Sequence, residues 1–472
     1  MQIPILNGIY TDTAGDFRTL YPCNLMPVPK KQGISNGYLR PADGIVAFGS
    51  AGPGVDRGGI NWNGICYRVM GSKLVRVDDD GFITIIGDVG FSSSPVTLDY
   101  SFDRLGISSA GSLYYYDRVT LTQVADPDLG TVLDFLWVDG YFMTTDGTSL
   151  VVTELTDPFS VNPFKYGSAE ADPDPIKGLL KIRNEVYAVG RYTIEVFDNV
   201  GGSLFPFSRN AGAQMMRGAV GTYAACAFTL TTYAGVAFVG STRNEPPAVW
   251  FGVNGITTQL STREIDTILQ DYTEAQLATA VLEPRVDKNH ALLYLHLPDQ
   301  TLVYDARGSA AVGEPVWFTL SSGLIGLDTY RARYLTWCYD KWISGDPTSN
   351  TLGYFVDDSS HHYGDVVGWE FGTVVIYNES AGAIFHEVEL VVIAGHVSAN
   401  VDPTVWTSYS LDGETWSQER PRTAGRQGRR NVRVSWLQQG SMRNWRIQKF
   451  RGTSDAHLTV ARLEAQVEAL AV

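Results

Sequence analysis

Hydrophobic residues recur in short runs that turn residues interrupt, and residues 58–89 show the pattern most plainly, with apolar runs at 60–63, 65–70, 73–77 and 82–87. Each run has the length of a strand, not of a helix. Gly71-Ser72 and Asp80-Gly81 separate the runs; glycine takes a positive φ at no steric cost, and aspartate starts a turn with its side chain. The pattern predicts one antiparallel four-stranded sheet. Such a sheet has two apolar faces and cannot bury both alone, so it must stack on further sheets.

Similar stretches follow at 96–124, 132–155, 176–197, 223–260, 281–320 and 334–355. In the third, Asp139-Gly140 and Asp146-Gly147 between apolar runs are strong hairpin signals. The units recur about every 40 residues, within the spacing of four-stranded propeller blades. Two connections read as irregular, a Pro-rich one at 157–175 and a Gly-rich one at 201–218. Residues 261–280 break the series: Ile265, Ile268 and Leu269 have helical spacing, and Thr273 with Gln276 forms a capping-box pattern. From Trp369 the runs lengthen, at 369–377, 385–394, 404–410, 430–436, 444–451 and 458–469. The expectation is an all-β chain: a β-propeller-like array of about six to seven four-stranded blades over 58–356, with a helical insertion at 261–280, then an antiparallel β-sandwich over 369–472. Residues 1–57 are rich in Pro and Gly and read as an extended N-terminal arm without a sheet. Tyr10, Phe17, Leu20, Tyr21, Leu25, Met26, Tyr38 and Leu39 give that arm enough apolar surface to pack on its own body or on a neighbouring subunit.

The 472 residues, 44% hydrophobic and 18% charged, supply a large core and exclude wholesale disorder. Net charge is −15 and unevenly spread: from Glu419 onward there are 11 Lys and Arg against 4 Asp and Glu, a net of +7, so residues 1–418 carry −22. An acidic body argues against whole-surface nucleic-acid binding and allows a local basic contact. Cys23, Cys66, Cys226 and Cys338 form no CxxC and read as free thiols. No signal peptide and no run of spanning length is visible, so a soluble, cytoplasmically made protein with no membrane contact is expected.

Catalytic signatures are sparse. His361-His362 lacks further ligands at metal spacing and reads as a polar loop. Asp78-Asp79-Asp80-Gly81 lacks the alternation of a calcium loop and reads as a hairpin turn. Ser410 to Trp416 (SLDGETW) resembles a shortened Asp-box, a structural hairpin motif of sialidase-like propellers. Glu387 and Glu389 share a strand face; paired carboxylates serve glycoside hydrolysis, and a solvated sheet face is the simpler reading. No nucleophile elbow, P-loop or dinucleotide fingerprint is present, so no catalytic, metal or cofactor residue is assigned. The most specific charge feature is basic: Arg420, Arg422, Arg426, Arg429, Arg430 and Arg433, followed by Arg443, Arg446, Lys449 and Arg451. Arginine suits bidentate pairing with carboxylate or phosphate, so the cluster is a candidate contact to an acidic partner subunit or to DNA, against the plain reading of a solvated loop.

An ordered set of segments carries a family resemblance: YPCNLMPVPK, SNGYLRPADGI and GICYRVMGSKLVRV, then YTIEVFDNVGG, GAVGTYAACAF, REIDTILQDYTEAQLATAVLE and LLYLHLPDQTLVYDA with Trp317, and more loosely RNWRIQKFRG. The chain resembles the packaged-DNA stabilisation (tail hub, head-completion) proteins of short-tailed bacteriophages. The resemblance implies a non-enzymatic virion protein needing no cofactor. It would form a homo-oligomer, a hexameric ring, below the portal and its adaptor ring. There it would close the channel over genomic DNA without sequence-specific binding, and carry the tail needle and receptor-binding spikes. It would be assembled in the host cytoplasm and reside in the virion tail. The second reading is a carbohydrate-binding or glycoside-hydrolysing propeller protein of a phage tail.

Overall fold

In the computed structural model, which describes residues 2–6, 8–11, 18–30, 35–169, 171–378, 381–394, 397 and 401–470, the opening repeat is one antiparallel meander of strands Asp56–Trp62, Ile65–Met70, Lys73–Val77 and Ile83–Asp88. The chain divides into two units, one of Ala47–Pro298 with Arg331–Tyr354, the other of Met1–Val46 with Asp299–Tyr330 and Phe355–Val472.

In the first unit the sheets stack in chain order. Trp62, Tyr67, Val69 and Leu74 of the opening sheet pack on Leu105, Ile107 and Tyr116 of the next. Leu113 and Tyr115 then meet Phe135 and Phe142, Leu136 and Met143 meet Leu179 and Val186, and Tyr187 and Val196 meet Val236 and Phe238. Cys338, Ile343 and Leu352, late in the chain, pack on Cys66, Met70, Val75 and Val77, so the series returns to its start. Burying one such side chain contributes about 1.5–3 kcal/mol, and each sheet obtains that burial only from its neighbours. The thiols behave as small core groups: Cys66, Cys226 and Cys338 are buried and unbridged, and burial pushes the Cys66 thiol up to about 11.

The helical insertion takes the expected form. Helix α1 (Arg263–Gln270) buries Ile265 and Leu269. Helix α2 (Glu274–Leu277) starts on a capping box between Thr273 and Gln276 and buries Leu277. The stretch read as a sixth repeat is shared out: the hairpin of Val281–Asp287 and His290–His296 lies in the first unit, and that of Thr301–Asp305 and Trp317–Leu320 in the second. The latter hairpin is joined by helix α3 (Ala306–Val312), absent from the sequence reading because ARGSAAV has no amphipathic stripe; Asp305 caps it and Gly313, at φ 90°, ends it.

The second unit contains a sandwich. One sheet runs Leu25–Pro29, Gly37–Pro41, Thr459–Ala469, Ala383–Ile393, Val434–Leu437, with Gln2–Ile3 added to Thr459–Ala469 and Ser441–Met442 to Ala383–Ile393. The other runs Gly368–Gly372, Trp445–Thr453, Thr404–Ser410, Arg420–Thr423, with Ile376–Tyr377 added to Trp445–Thr453. Leu25, Leu39, Phe385, Val388, Trp436 and Leu463 of the first sheet share a core with Trp369, Phe371, Val405 and Phe450 of the second.

Three segments read as irregular are strands. The connection at 157–175 contains Val161–Ser168, the connection at 201–218 contains Phe207–Arg209, and the N-terminal residues form Leu25–Pro29 and Gly37–Pro41. Proline weighs against a central strand, but Pro163, Pro27 and Pro29 stand in edge strands, where a missing N–H costs no ladder bond. Leu25, Met26 and Leu39 are buried, whereas Leu20 is exposed; Phe17 and the Tyr10 side chain lie outside the described residues. Asn24 fixes the start of this segment: its Nδ2 donates to Ser321 O (2.8 Å) and Gly368 O (2.7 Å), and its Oδ1 accepts from Ser321 N (3.0 Å).

Candidate functional site: the basic edge of the sandwich

Strand Arg420–Thr423 is the edge of one sandwich sheet and Val434–Leu437 the edge of the other. Open strand edges present unpaired carbonyls. Arg420 Nη1 donates to Gln438 O (2.7 Å) and Leu437 O (3.3 Å), Arg422 Nε donates to Ser435 O (2.9 Å), and Trp436 Nε1 returns a bond to Arg420 O (2.9 Å). Two of the six candidate arginines thus fasten the edges of the two sheets together. Arg433 lies across the paired carboxylates: its Nε donates to Glu389 Oε1 (2.9 Å) and its Nη2 to Glu387 Oε1 (3.2 Å) and to Glu389 Oε2. The guanidinium holds Glu389 below the usual carboxylate range, so Glu387 and Glu389 form an ion-paired face.

The other three belong to the loop between those strands. Ala424 N donates to Pro403 O (2.8 Å), and Gly425 and Gly428, at φ 95° and 79°, let the chain reverse where a side chain would be strained. Arg426 meets Asp402 at 3.2 Å, with the arginine side chain largely exposed and the carboxylate about one-third exposed. Arg429 and Arg430 are exposed and make no ion pair among the described residues. The cluster therefore resolves into three structural arginines, Arg426 paired with Asp402, and an outward loop tip carrying Arg429 and Arg430.

The later basic residues also divide. Arg446 is buried, stacked 3.9 Å from the Tyr409 ring centroid and 4.4 Å from that of Phe385, and donates to Gln439 O (2.5 Å) and Gln448 Oε1 (2.7 and 3.1 Å). Burial pushes it down to about 10. Arg451 is clamped by Glu419, both contacts at 2.5 Å, and Arg443 is exposed.

The remaining motifs have structural partners. Ser410 Oγ and the Asp412 carboxylate receive the backbone N–H groups of Gly413, Glu414 and Thr415 at 2.8–3.0 Å, and the Thr415 hydroxyl also donates to Asp412. These bonds hold Asp412 well below its ordinary value; the Asp-box resemblance is a capped turn, with Trp416 packed near Ile9 and Ile447. His361 Nδ1 lies 3.0 Å from Ser454 Oγ and His362 Nδ1 2.7 Å from Ser322 Oγ. Asp78 and Asp80 organise their hairpin turn, Asp80 accepting from Phe82 N (2.8 Å) and Asp78 from Arg76. Among the described residues, no group of three His, Cys, Asp or Glu side chains is placed to hold a metal, and no helix is long and apolar enough to cross a membrane.

Sequence reasoning missed a set of buried ionic groups in the first unit. Arg68, fully buried, donates from Nε and Nη2 to the two oxygens of Asp56 (2.8 and 2.6 Å) and also to Tyr334 O and Thr336 Oγ1. Burial works against its charge, but the Asp56 carboxylate outweighs it and holds the guanidinium above its ordinary value. Asp134 accepts from Thr97 Oγ1 (2.5 Å), Phe135 N (3.0 Å) and Leu179 N (2.7 Å), linking the first strands of three successive sheets; burial pushes it up to about 6. Glu283 accepts from Tyr334 N (2.7 Å) and Leu335 N (2.5 Å). Charges placed inside otherwise apolar strand runs, such as Arg68 within ICYRVM, were the available signal.

The fold is that of a β-propeller followed by a β-sandwich. Residues 1–360 match the family described as bacteriophage P22 Gp10, beta-propeller, and residues 368–468 match bacteriophage P22 Gp10, beta-sandwich; the chain belongs to the bacteriophage P22 Gp10 family. It is 27% identical over 489 residues to the tail hub protein gp10 of Salmonella phage P22, covering 99% of both chains. Among solved structures it is similar to the N-terminal domain of Nup159 (9% identity, 72% of this chain, 99% of that one, TM-score 0.41) and to the computationally designed Ika8 protein (13%, 67%, 100%, TM-score 0.37). These two likenesses are too distant to bear on function.

Proposed function

We propose that this chain is a structural tail hub protein of a short-tailed bacteriophage virion. The observation that carries the reading is the end-to-end match: propeller and sandwich regions both fall in the P22 Gp10 family, and the similarity to the P22 tail hub protein spans 99% of each chain. On this reading copies assemble as a homo-oligomeric ring, a hexamer, below the portal and adaptor ring. The ring closes the channel over packaged DNA and anchors needle and receptor-binding spikes, after synthesis in the host cytoplasm. The role is mechanical, not enzymatic. Rigid sheets tied by buried ionic contacts suit it, and the Arg429–Arg430 tip is its charged contact, to a neighbouring subunit before DNA because the body of the chain is acidic. The carbohydrate reading gains no support from its own motifs: the Asp-box is spent on a turn and Glu387 and Glu389 on Arg433.

The test uses DNA-filled phage heads that lack this protein, incubated with the purified chain and then with nuclease. The expected result is protected DNA in proportion to bound chain. Equal digestion with and without saturating protein would overturn the hub reading.

A further inference from the structure

In a four-stranded meander the first and third turns lie at one end and the second at the other. Exposed apolar side chains are more numerous at one end of the second, third and fourth sheets than at the other. At the end bearing turns 101–104, 117–120, 139–140, 154–160, 183–184 and 200–206, six large apolar side chains stand in water: Phe102, Val119, Leu155, Phe159, Val200 and Leu204, with Phe102 at 89% and Val119 at 85% exposure. At the other end, turns 110–111, 146–148 and 191–193 carry no exposed large hydrophobic side chain among the described residues, and the connections beside them expose three, Phe91, Leu133 and Met216. The apolar turns adjoin one another. Phe102 lies edge-on to Trp137, centroids 5.5 Å apart; the Arg104 guanidinium sits 5.7 Å from the Phe159 ring; Asn199 donates to Asp139 at 3.1 Å. Exposed apolar side chains grouped at one end of a folded unit mark an interaction site.

Its charge points to an occupant. These turns hold five carboxylates (Asp103, Asp117, Asp139, Glu154 and Asp157) against three guanidiniums, Arg104, Arg118 and Arg183, the last met by Glu185 at 2.7 Å from the adjoining strand. Arg104 is held by Asp103 at 2.6 Å, Arg118 lies over the Trp62 ring, and Glu154 is met by Lys165 at 2.7 Å from the adjoining strand. The rim is apolar and net negative. Its complement is on the same chain: the outward Arg429 and Arg430, with the exposed Leu437 on the adjoining edge strand.

We propose that this rim is the docking surface for a second copy of the chain, whose basic sandwich-edge loop, carrying Arg429 and Arg430, seats on the acidic, apolar turns of the second to fourth sheets. The inference rests on the homo-oligomeric reading above and names the two faces of its contact. The faces differ, so the contact is heterologous and propagates to a closed ring or an open filament, not to a two-fold dimer.

Sedimentation of the full chain tests it. Wild type should self-associate, and association should weaken between about 50 and 500 mM salt as the charges are screened. F102S/V119S, at exposed positions with little folding cost, should raise the dissociation constant at least about tenfold. Loop reversal (R429E/R430E) and rim reversal (E154R/D157R) should each abolish self-association, and mixing the two variants should restore it, because each then offers the other a complementary face. Restoration also shows both variants to be folded. If wild type associates and the variants match it, or the mixture stays dissociated, the rim assignment is overturned while the oligomeric reading stands. If wild type remains a monomer at every concentration, the oligomeric reading falls and takes this proposal with it. If the rim instead captures a different protein or a glycan while self-association is unaffected by F102S/V119S, the second-copy assignment is overturned.

Discussion

Arg68 and Asp56 are fully buried together, so neither can lose its partner cheaply. Asp56→Asn or Arg68→Met should cost about 3–5 kcal/mol, because the remaining group is left uncompensated in a low-dielectric core. Replacing both with apolar residues of similar volume should recover most of the loss. Urea unfolding followed by tryptophan fluorescence measures all three, and single variants within about 1 kcal/mol of wild type would contradict the account. Asp134 gives a pH signature of defined sign. Burial raises it from 3.8 to about 6 in the folded chain, so the folded state holds the proton more tightly than the unfolded state. Its contribution is fully present below pH 3.8 and is lost as pH rises through about 6, a change of about 3 kcal/mol. Asp134→Asn should flatten the slope of stability against pH in that window, whatever its effect on absolute stability. A slope equal to wild type would mean that Asp134 titrates normally.

The strands depend on how closely their neighbours approach, and Gly345 shows the limit. It ends strand Lys341–Gly345, and a Cβ there would stand 2.2 Å from the Asp56 carboxylate and 2.4 Å from its Cβ. That carboxylate is held by Arg68 and cannot swing away. Gly345→Ala should therefore loosen the seam between the last strands of the first unit and its opening sheet, costing about 1–3 kcal/mol, the usual penalty for overpacking. Hydrogen exchange reads it directly: the amides of Ile65–Met70 should lose protection, and unchanged protection would show that the seam tolerates a methyl group. The strand elements with strong turn signals were legible beforehand, as were α1 and α2 with their capping box. Val161–Ser168 and Leu25–Pro29 were not, because proline was weighed as if every strand were central. α3 was not, because its small residues carry no periodicity.

The N-terminal segment was expected to lie outside any sheet, and its pairing changes what its removal should do. Gln2 and Ile3 pair with Glu464 and Leu463, and Leu39 pairs with Val460, all on strand Thr459–Ala469. Deleting residues 2–41 should raise exchange throughout Thr459–Ala469, since it removes the flanking strands and exposes core partners of Leu25 and Leu39. The amides of Ile65–Met70, in the other unit, should be unaffected. Retained protection at Thr459–Ala469 would return the segment to a surface wrapping. Assembly defects of such a deletion would then reflect a damaged sandwich as well as a lost subunit contact.

The sequence by itself determined the local chemistry: strand periods, turn positions, the helical insertion, the change from short repeats to longer strands near Trp369, and the separation of an acidic body from a basic end. These depend on neighbours a few residues apart, where backbone preference and side-chain spacing decide. Only the tertiary structure decided which sheets meet, that the late Cys338–Leu352 segment packs on the opening sheet, and that Leu25–Pro29 belongs with strands more than 300 residues away. It also decided which arginines are committed. Six appeared equivalent along the chain, yet Arg420 and Arg422 fasten two sheet edges, Arg433 bridges two glutamates and Arg426 meets Asp402, leaving Arg429 and Arg430 outward. A charge is available for a partner only if the fold has not already supplied one, and that depends on carbonyls and carboxylates brought from distant strands.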